Sequence, residues 1–130
     1  MAAIVMAFAI TTSITVMQRA FLAVDAARGV SYAAQIMQSE LEKMRLLNWA
    51  TVTARYPTSA TPVAVDSSFT SNTFIGNRFT MTGVGEQMHT NTMLKITLTI
   101  SWKSYDGRTL SRSMVTYYGQ HGLYDYFLSS

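Results

Sequence analysis

The chain has 130 residues, of which 48% are hydrophobic and 13% are charged, and its formal net charge is +3. This length suits one domain, and the lack of cysteine excludes a disulfide, a thiolate metal site and a thiol nucleophile. The modest positive charge permits contact with an acidic surface but does not require one.

The N-terminal stretch from Met1 to Gln18 carries no charged side chain. As a helix it would be about 27 Å long, close to the roughly 30 Å hydrocarbon core of a bilayer. A cleaved signal peptide fits less well, because the start is not basic and no clear cleavage site follows. A buried core helix of this length would need a larger protein around it. We therefore predict a membrane helix over residues 1–25.

The next stretch, residues 26–50, is amphipathic. Apolar residues recur at steps of three or four, and polar residues recur with the same spacing on another face. No proline interrupts residues 1–56, so a single helix of about 48 residues is predicted. Gly29 is its weak point, about 1 kcal/mol less favourable than alanine. The apolar stripe consists of Ala26, Val30, Ala33, Met37, Leu41, Met44 and Leu47.

Residues 51–73 contain both prolines and a high density of serine and threonine. Such a composition predicts a solvated surface loop. Segments of this kind in exported proteins sometimes carry O-linked sugars, but nothing in this one selects a site.

Residues 74–130 show strand patterns, clearest from Leu94 to Lys103, where apolar and polar residues alternate. An Asp-Gly pair follows, which is typical of a two-residue hairpin turn. That turn would place Val115 opposite Leu98 and Tyr117 opposite Ile96 in a return strand over residues 109–118. A preceding strand is predicted at 78–82, with 83–92 as its connection.

An antiparallel sheet with one apolar face needs a cover, and the stripe of the long helix is its natural partner. The predicted fold class is therefore α+β, with a head formed by residues 26–130. The predicted core of this head consists of Met37, Leu41, Met44, Leu94, Ile96, Leu98, Ile100 and Trp102.

The sequence offers little chemistry. His89 and His121 fall in apparent loops without a nearby set of metal ligands. There is no glycine-rich phosphate loop, no paired-carboxylate spacing and no nucleophile motif. We therefore expect neither an enzyme nor a bound metal or cofactor.

Two clusters of residues expected at the surface can each be interpreted in two ways. Basic residues on or near the polar face of the hairpin fit an ordinary solvated face or contact with DNA phosphates; they are Lys95, Lys103, Arg108 and Arg112. An aromatic end fits packing on the sheet or a subunit contact; it consists of Tyr117, Tyr118, Tyr124, Tyr126 and Phe127.

The run MAAIVMAFAI followed by TTSITVMQRAFLAVDAAR resembles the N-terminal helix of type IV pilins, including the pseudopilins of type II secretion. The segment LKITLTISWKSYDGRTLSRSMVTYY resembles the C-terminal hairpin of minor pilins and pseudopilins. The family signature of a cleavage-site glycine and a following glutamate is absent, and so is the mid-helix proline. By this resemblance the chain begins just after that glutamate, so either a few mature residues precede Met1, which we expect, or the subunit assembles without them.

The resemblance implies a filament subunit. The helix would hold the subunit in the bacterial inner membrane and then pack with other pilin-like subunits in the core of an extracellular or periplasmic filament. It would also loosen between Thr11 and Val16 on assembly. The alternative is a single-span anchor for an extracytoplasmic binding domain that does not polymerise. The expected subunit-packing residues are Ile4, Val5, Phe8, Ile10, Thr11, Thr12, Ile14, Val16 and Met17.

Overall fold

A computed structural model describes residues 1–71 and 77–120. A long N-terminal helix packs on a four-stranded antiparallel sheet of order β1-β2-β3-β4, which confirms the predicted α+β class. The elements are α1 (Ala2–Arg45), α2 (Trp49–Arg55), β1 (Thr61–Val63), α3 (Ser67–Thr70), β2 (Phe79–Met88), β3 (Met93–Lys103) and β4 (Thr109–Gly119).

Helix α1 ends at Arg45, several residues before the predicted end of the amphipathic helix. The chain then turns, and Asn48 begins α2 by accepting a hydrogen bond from the backbone N–H of Thr51 at 2.9 Å. Asparagine is among the best residues for capping a helix in this way. The prediction of one helix through residues 48–50 is therefore wrong, because a local capping residue starts a second helix there.

Residues 51–73 are not a solvated loop throughout. Val52 and Tyr56, one turn apart on α2 and its C-terminal cap, are 0% and 1% exposed. Strand β1 pairs with β2, and its Val63 is buried as well. The serine- and threonine-rich composition concealed these apolar residues, which close one end of the core.

Strand β2 is longer than predicted, because the segment assigned to a connection continues the strand to Met88. Its two glycines lie under Tyr56. A Cβ atom on Gly83 would come within 2.6 Å of the Tyr56 ring, and one on Gly85 within 2.0 Å of the Tyr56 carbonyl oxygen. These glycines mark a close approach of α2 to the sheet, not a loop.

The register between β3 and β4 differs from the prediction by one residue. The chain turns at residues 104–107, where the N–H of Gly107 donates to the Ser104 carbonyl at 3.0 Å. Gly107 itself has a left-handed backbone conformation, with φ +86°. Such a loop is one residue longer than the predicted two-residue turn. Leu98 therefore lies opposite Met114, and Ile96 lies opposite Thr116. A one-residue shift reverses the faces of a strand, so Val115 and Tyr117 are exposed on the outer face.

The core lies between α1 and the inner face of the sheet. Of the predicted core residues, Leu41 is half-buried and the other seven are buried. The outer face of the sheet is polar, with side-chain hydrogen bonds between Thr80 and Ser101 and between Thr99 and Ser113. The buried set that sequence reasoning missed consists of Ile36, Val52, Tyr56, Val63, Phe79 and Met81.

Gly29 is the position where Trp102 meets α1. A Cβ atom on Gly29 would lie 2.4 Å from Nε1 of Trp102, whose side chain is buried. In an exposed helix Gly→Ala gains about 1 kcal/mol. Here we expect Gly29→Ala to lower the free energy of unfolding by about 1–3 kcal/mol, because the extra methyl overpacks the core. Denaturant unfolding of the full chain in detergent measures the change.

The control is Ser31→Ala on the exposed face of the same helix, which should be neutral or slightly stabilising. Trp102→Phe combined with Gly29→Ala should recover part of the loss, because the smaller ring makes room. A stabilised Gly29→Ala protein would contradict the close packing.

Candidate functional site

Within the described residues, the N-terminal half of α1 projects from the head as an exposed helix. Its most apolar 18-residue stretch has no buried residue, and α1 is long and apolar enough to cross a membrane. Among the large apolar residues of this half, Phe8 is 76% exposed, Ile4 75% and Phe21 69%. An exposed apolar surface of this extent marks a site of contact with lipid or with other protein.

The predicted subunit-packing residues surround this half of the helix. Neighbours in sequence, such as Ile4 and Val5, point in different directions, yet both are exposed. The apolar surface is therefore continuous around the helix and does not form a single stripe. All nine predicted residues are exposed: Ile4, Val5, Phe8, Ile10, Thr11, Thr12, Ile14, Val16 and Met17.

The threonine hydroxyls in this half are satisfied by the helix itself. Thr11 donates to the Ala7 carbonyl and Thr12 to the Phe8 carbonyl, both at 2.8 Å, and Thr15 donates to the Thr11 carbonyl at 3.0 Å. Each hydroxyl is thus paired within one turn, which is how polar side chains are tolerated in lipid.

Asp25 links α1 to the head at the C-terminal end of the exposed half of the helix. Its carboxylate accepts a hydrogen bond from the backbone N–H of Tyr105 at 3.1 Å and lies 3.7 Å from the Arg78 guanidinium. Arg78 in turn donates to the Lys103 carbonyl at 2.9 Å. These contacts join α1 to the β3–β4 turn (Ser104–Arg108) and to the start of β2.

A groove of about 680 Å³ opens between the β3–β4 turn and α1. Tyr105 forms one side and is 87% exposed. Phe21, Leu22 and Val24 of the helix supply an apolar wall. The groove therefore continues the apolar surface of the projecting half of α1 onto the head.

The four predicted basic surface residues do not form one patch. Lys95 and Lys103 lie at opposite ends of the outer face of β3, about 27 Å apart. Arg112 pairs with Ile100 and so belongs to the other face, although its side chain is exposed. Arg108 binds the Asp106 carboxylate at 2.7 Å beside Lys103. Only Lys103 and Arg108 share one location, the end of the hairpin.

A buried polar cluster inside the head was not predicted. Glu40 is 3% exposed, and its carboxylate accepts hydrogen bonds from the Tyr56 hydroxyl at 2.7 Å and from Arg55. Burial, followed by the hydrogen bond to Glu40, raises the pKa of Tyr56 well above its usual range. The only sequence signal was the spacing of Glu40 from Ile36 and Met44, four residues each way on the buried face.

Within residues 1–71 and 77–120, no group of three or more metal-ligating side chains could hold a metal ion. His89 is exposed in the β2–β3 turn, whereas His121, Tyr124, Tyr126 and Phe127 lie outside the described residues. Comparisons with protein-family models, with curated proteins and with solved structures find no match to this chain.

Proposed function

We propose that the protein is a structural subunit of a helical filament of the type IV pilus or type II pseudopilus kind. The observation that carries this proposal is the projecting half of α1, which is apolar on all sides and wholly exposed. In lipid it serves as a single membrane span. In a filament the same surface packs against the corresponding helices of other subunits.

The side chains of this half suit both environments. Small residues such as Ala7 and Ala9 permit close approach of neighbouring helices, which membrane helix pairs use for packing. The threonine hydroxyls keep their internal partners whether lipid or protein surrounds them. The exchange of lipid for helices therefore exposes no unpaired side-chain hydroxyl at these positions.

The head would form the filament surface. It presents a polar outer sheet face, with Thr–Ser pairs and lysines, to the surrounding water. We place the subunit in the bacterial inner membrane before assembly and in an extracellular or periplasmic filament afterwards. The subunit acts by assembly with its own copies and with similar subunits.

The variant Ala9→Leu tests whether α1 packs against other subunits in a filament. The substitution adds bulk to the exposed helix without adding polarity, so membrane insertion should persist. Overpacking at a helix–helix contact costs about 1–3 kcal/mol, which corresponds to roughly a fivefold to 150-fold loss of assembled subunit. Filaments are sheared from cells producing the full chain, imaged by electron microscopy and quantified by mass spectrometry.

Ile10→Leu is the matched control, because it changes shape but not size and should leave filament yield nearly unchanged. A chain without residues 1–25 should form no filaments. If the wild-type protein is absent from every filament and stays in the membrane fraction, the non-polymerising single-span anchor is the correct function.

A further inference from the structure

The strands of the hairpin run along α1, and this direction decides which end of the head lies nearest the span. Trp102 of β3 meets Gly29, while the Tyr118 hydroxyl of β4 donates to the Leu47 carbonyl. From residue 29 to its end at residue 45, α1 rises about 24 Å, and the strand path from residue 110 to 118 is about 27 Å. The β3–β4 turn is therefore the end of the hairpin closest to the projecting half of α1.

The depth of this turn follows from the helix. Arg19 is the first charged residue of α1, so the hydrocarbon core ends near it, and a headgroup layer of about 5–7 Å covers the next four to five residues. Asp25 then lies at the outer limit of the headgroup layer. Tyr105, whose N–H is bonded to Asp25, lines the groove together with Gln18 and Phe21 and so extends back toward the bilayer.

The chemistry of the turn matches that layer. Tyrosine is enriched at membrane interfaces because its ring is apolar and its hydroxyl is polar. Lys103 and Arg108 flank the turn, and Arg28 lies across the groove. The hydrogen bond from the Ser104 hydroxyl, followed by the contacts with Arg108, lowers the pKa of Asp106, so this carboxylate stays ionised. The basic residues still outnumber the carboxylates at this end.

We propose that the β3–β4 turn is a second membrane contact, in which Tyr105 enters the headgroup layer of the bilayer beside α1. Lys103 and Arg108 then lie at the level of the lipid phosphates. The inference rests on the proposed membrane-anchored state of the subunit. The contact fixes the orientation of the head on the membrane before assembly, and Tyr105 leaves the lipid when the subunit enters the filament.

Fluorescence quenching in vesicles tests this contact. The full chain is reconstituted in phosphatidylethanolamine–phosphatidylglycerol vesicles that carry a nitroxide either on the lipid headgroup or deep in the acyl chain. Tyr105→Trp keeps an amphipathic ring at the turn, and the signal of the wild-type chain, with Trp49 and Trp102, is subtracted. We expect the added indole to lose most of its fluorescence with the headgroup nitroxide.

Tyr117→Trp is the matched control. Tyr117 is also an exposed tyrosine of the same hairpin, 57% exposed, but it lies about 27 Å along β4 from the turn. Its indole should keep its fluorescence with both nitroxides. Equal quenching at both positions would show a head lying on the membrane without a preferred contact, and would overturn the proposal.

Phe8→Trp separates this inference from the proposed function. Phe8 lies near the middle of the span, so its indole should be quenched by the deep nitroxide. If it is quenched and the Tyr105→Trp indole is not, the span is inserted and the turn contact is wrong. If it is not quenched, α1 does not insert, and the membrane anchor fails together with the contact.

Discussion

Leu98→Ala is expected to lower the free energy of unfolding by about 2–5 kcal/mol. Leu98 is 0% exposed on the inner face of β3, between Gly83 on β2 and Met114 on β4. The glycine beside it has no side chain that could move into the vacated space. The size of the loss within that range depends on how far the neighbouring side chain of Met114 moves into the cavity.

Denaturant unfolding of the full chain in detergent, followed by the near-ultraviolet signal of the buried Trp102, measures the change. Val115→Ala is the matched control. The predicted two-residue turn places Val115 opposite Leu98 on the apolar face, whereas in the structure it is 50% exposed on the outer face. It should change stability by no more than about 0.5 kcal/mol. A large loss at Val115 would favour the other register.

Periodicity alone was enough for the main elements of this fold. The uncharged run before Arg19 and the later three-and-four spacing predicted one long helix with two environments. The strict alternation from Leu94 to Trp102 predicted a strand with one buried face, and that face is buried. Both patterns extend over many residues, so a single exception does not obscure them.

The predictions that were wrong concern segments whose structure depends on one residue or one backbone angle. The left-handed conformation of Gly107 lengthened the hairpin loop by one residue and reversed β4. The side-chain cap by Asn48 started a second helix. Gly83 and Gly85 resembled loop residues, because only the folded structure shows that Tyr56 occupies the space above them. Contacts between residues distant in the sequence have no local signature.

Part of the candidate site could be predicted from the sequence and part could not. The exposed apolar half of α1 could be predicted, because the hydrophobicity of consecutive residues is a local property. The link from Asp25 to Tyr105 spans 80 residues of sequence and could not be predicted. That link places the β3–β4 turn beside the exposed apolar half of α1. The position of this turn is therefore a result of tertiary structure, although the apolar half of α1 is a result of local sequence.

Glu40→Ala is expected to lower the free energy of unfolding by about 3 kcal/mol. The Tyr56 hydroxyl is buried and would lose its acceptor, whereas Arg55, with 39% of its side chain exposed, can turn to water. Glu42→Ala, at an exposed position on the same helix, should be nearly neutral. In a Tyr56→Phe background the cost of Glu40→Ala should fall, because no hydroxyl is left unpaired. Strictly additive losses would contradict this role of the Glu40–Tyr56 hydrogen bond.

The pH dependence of stability provides a separate measurement of the same cluster. Burial, and then the hydrogen bond to the Glu40 carboxylate, raises the pKa of Tyr56 above its ordinary value of 10.0. Above pH 10 the unfolded chain releases this proton while the folded chain keeps it, so unfolding becomes more favourable as the pH rises. The contribution is complete below pH 10 and is lost as the pH rises toward the raised pKa of the folded state. Tyr56→Phe removes it, so the difference in stability between the wild-type and variant chains should shrink above pH 10. Unfolding curves of the two chains that stay parallel through this range would show that Tyr56 ionises as readily in the folded protein as in water.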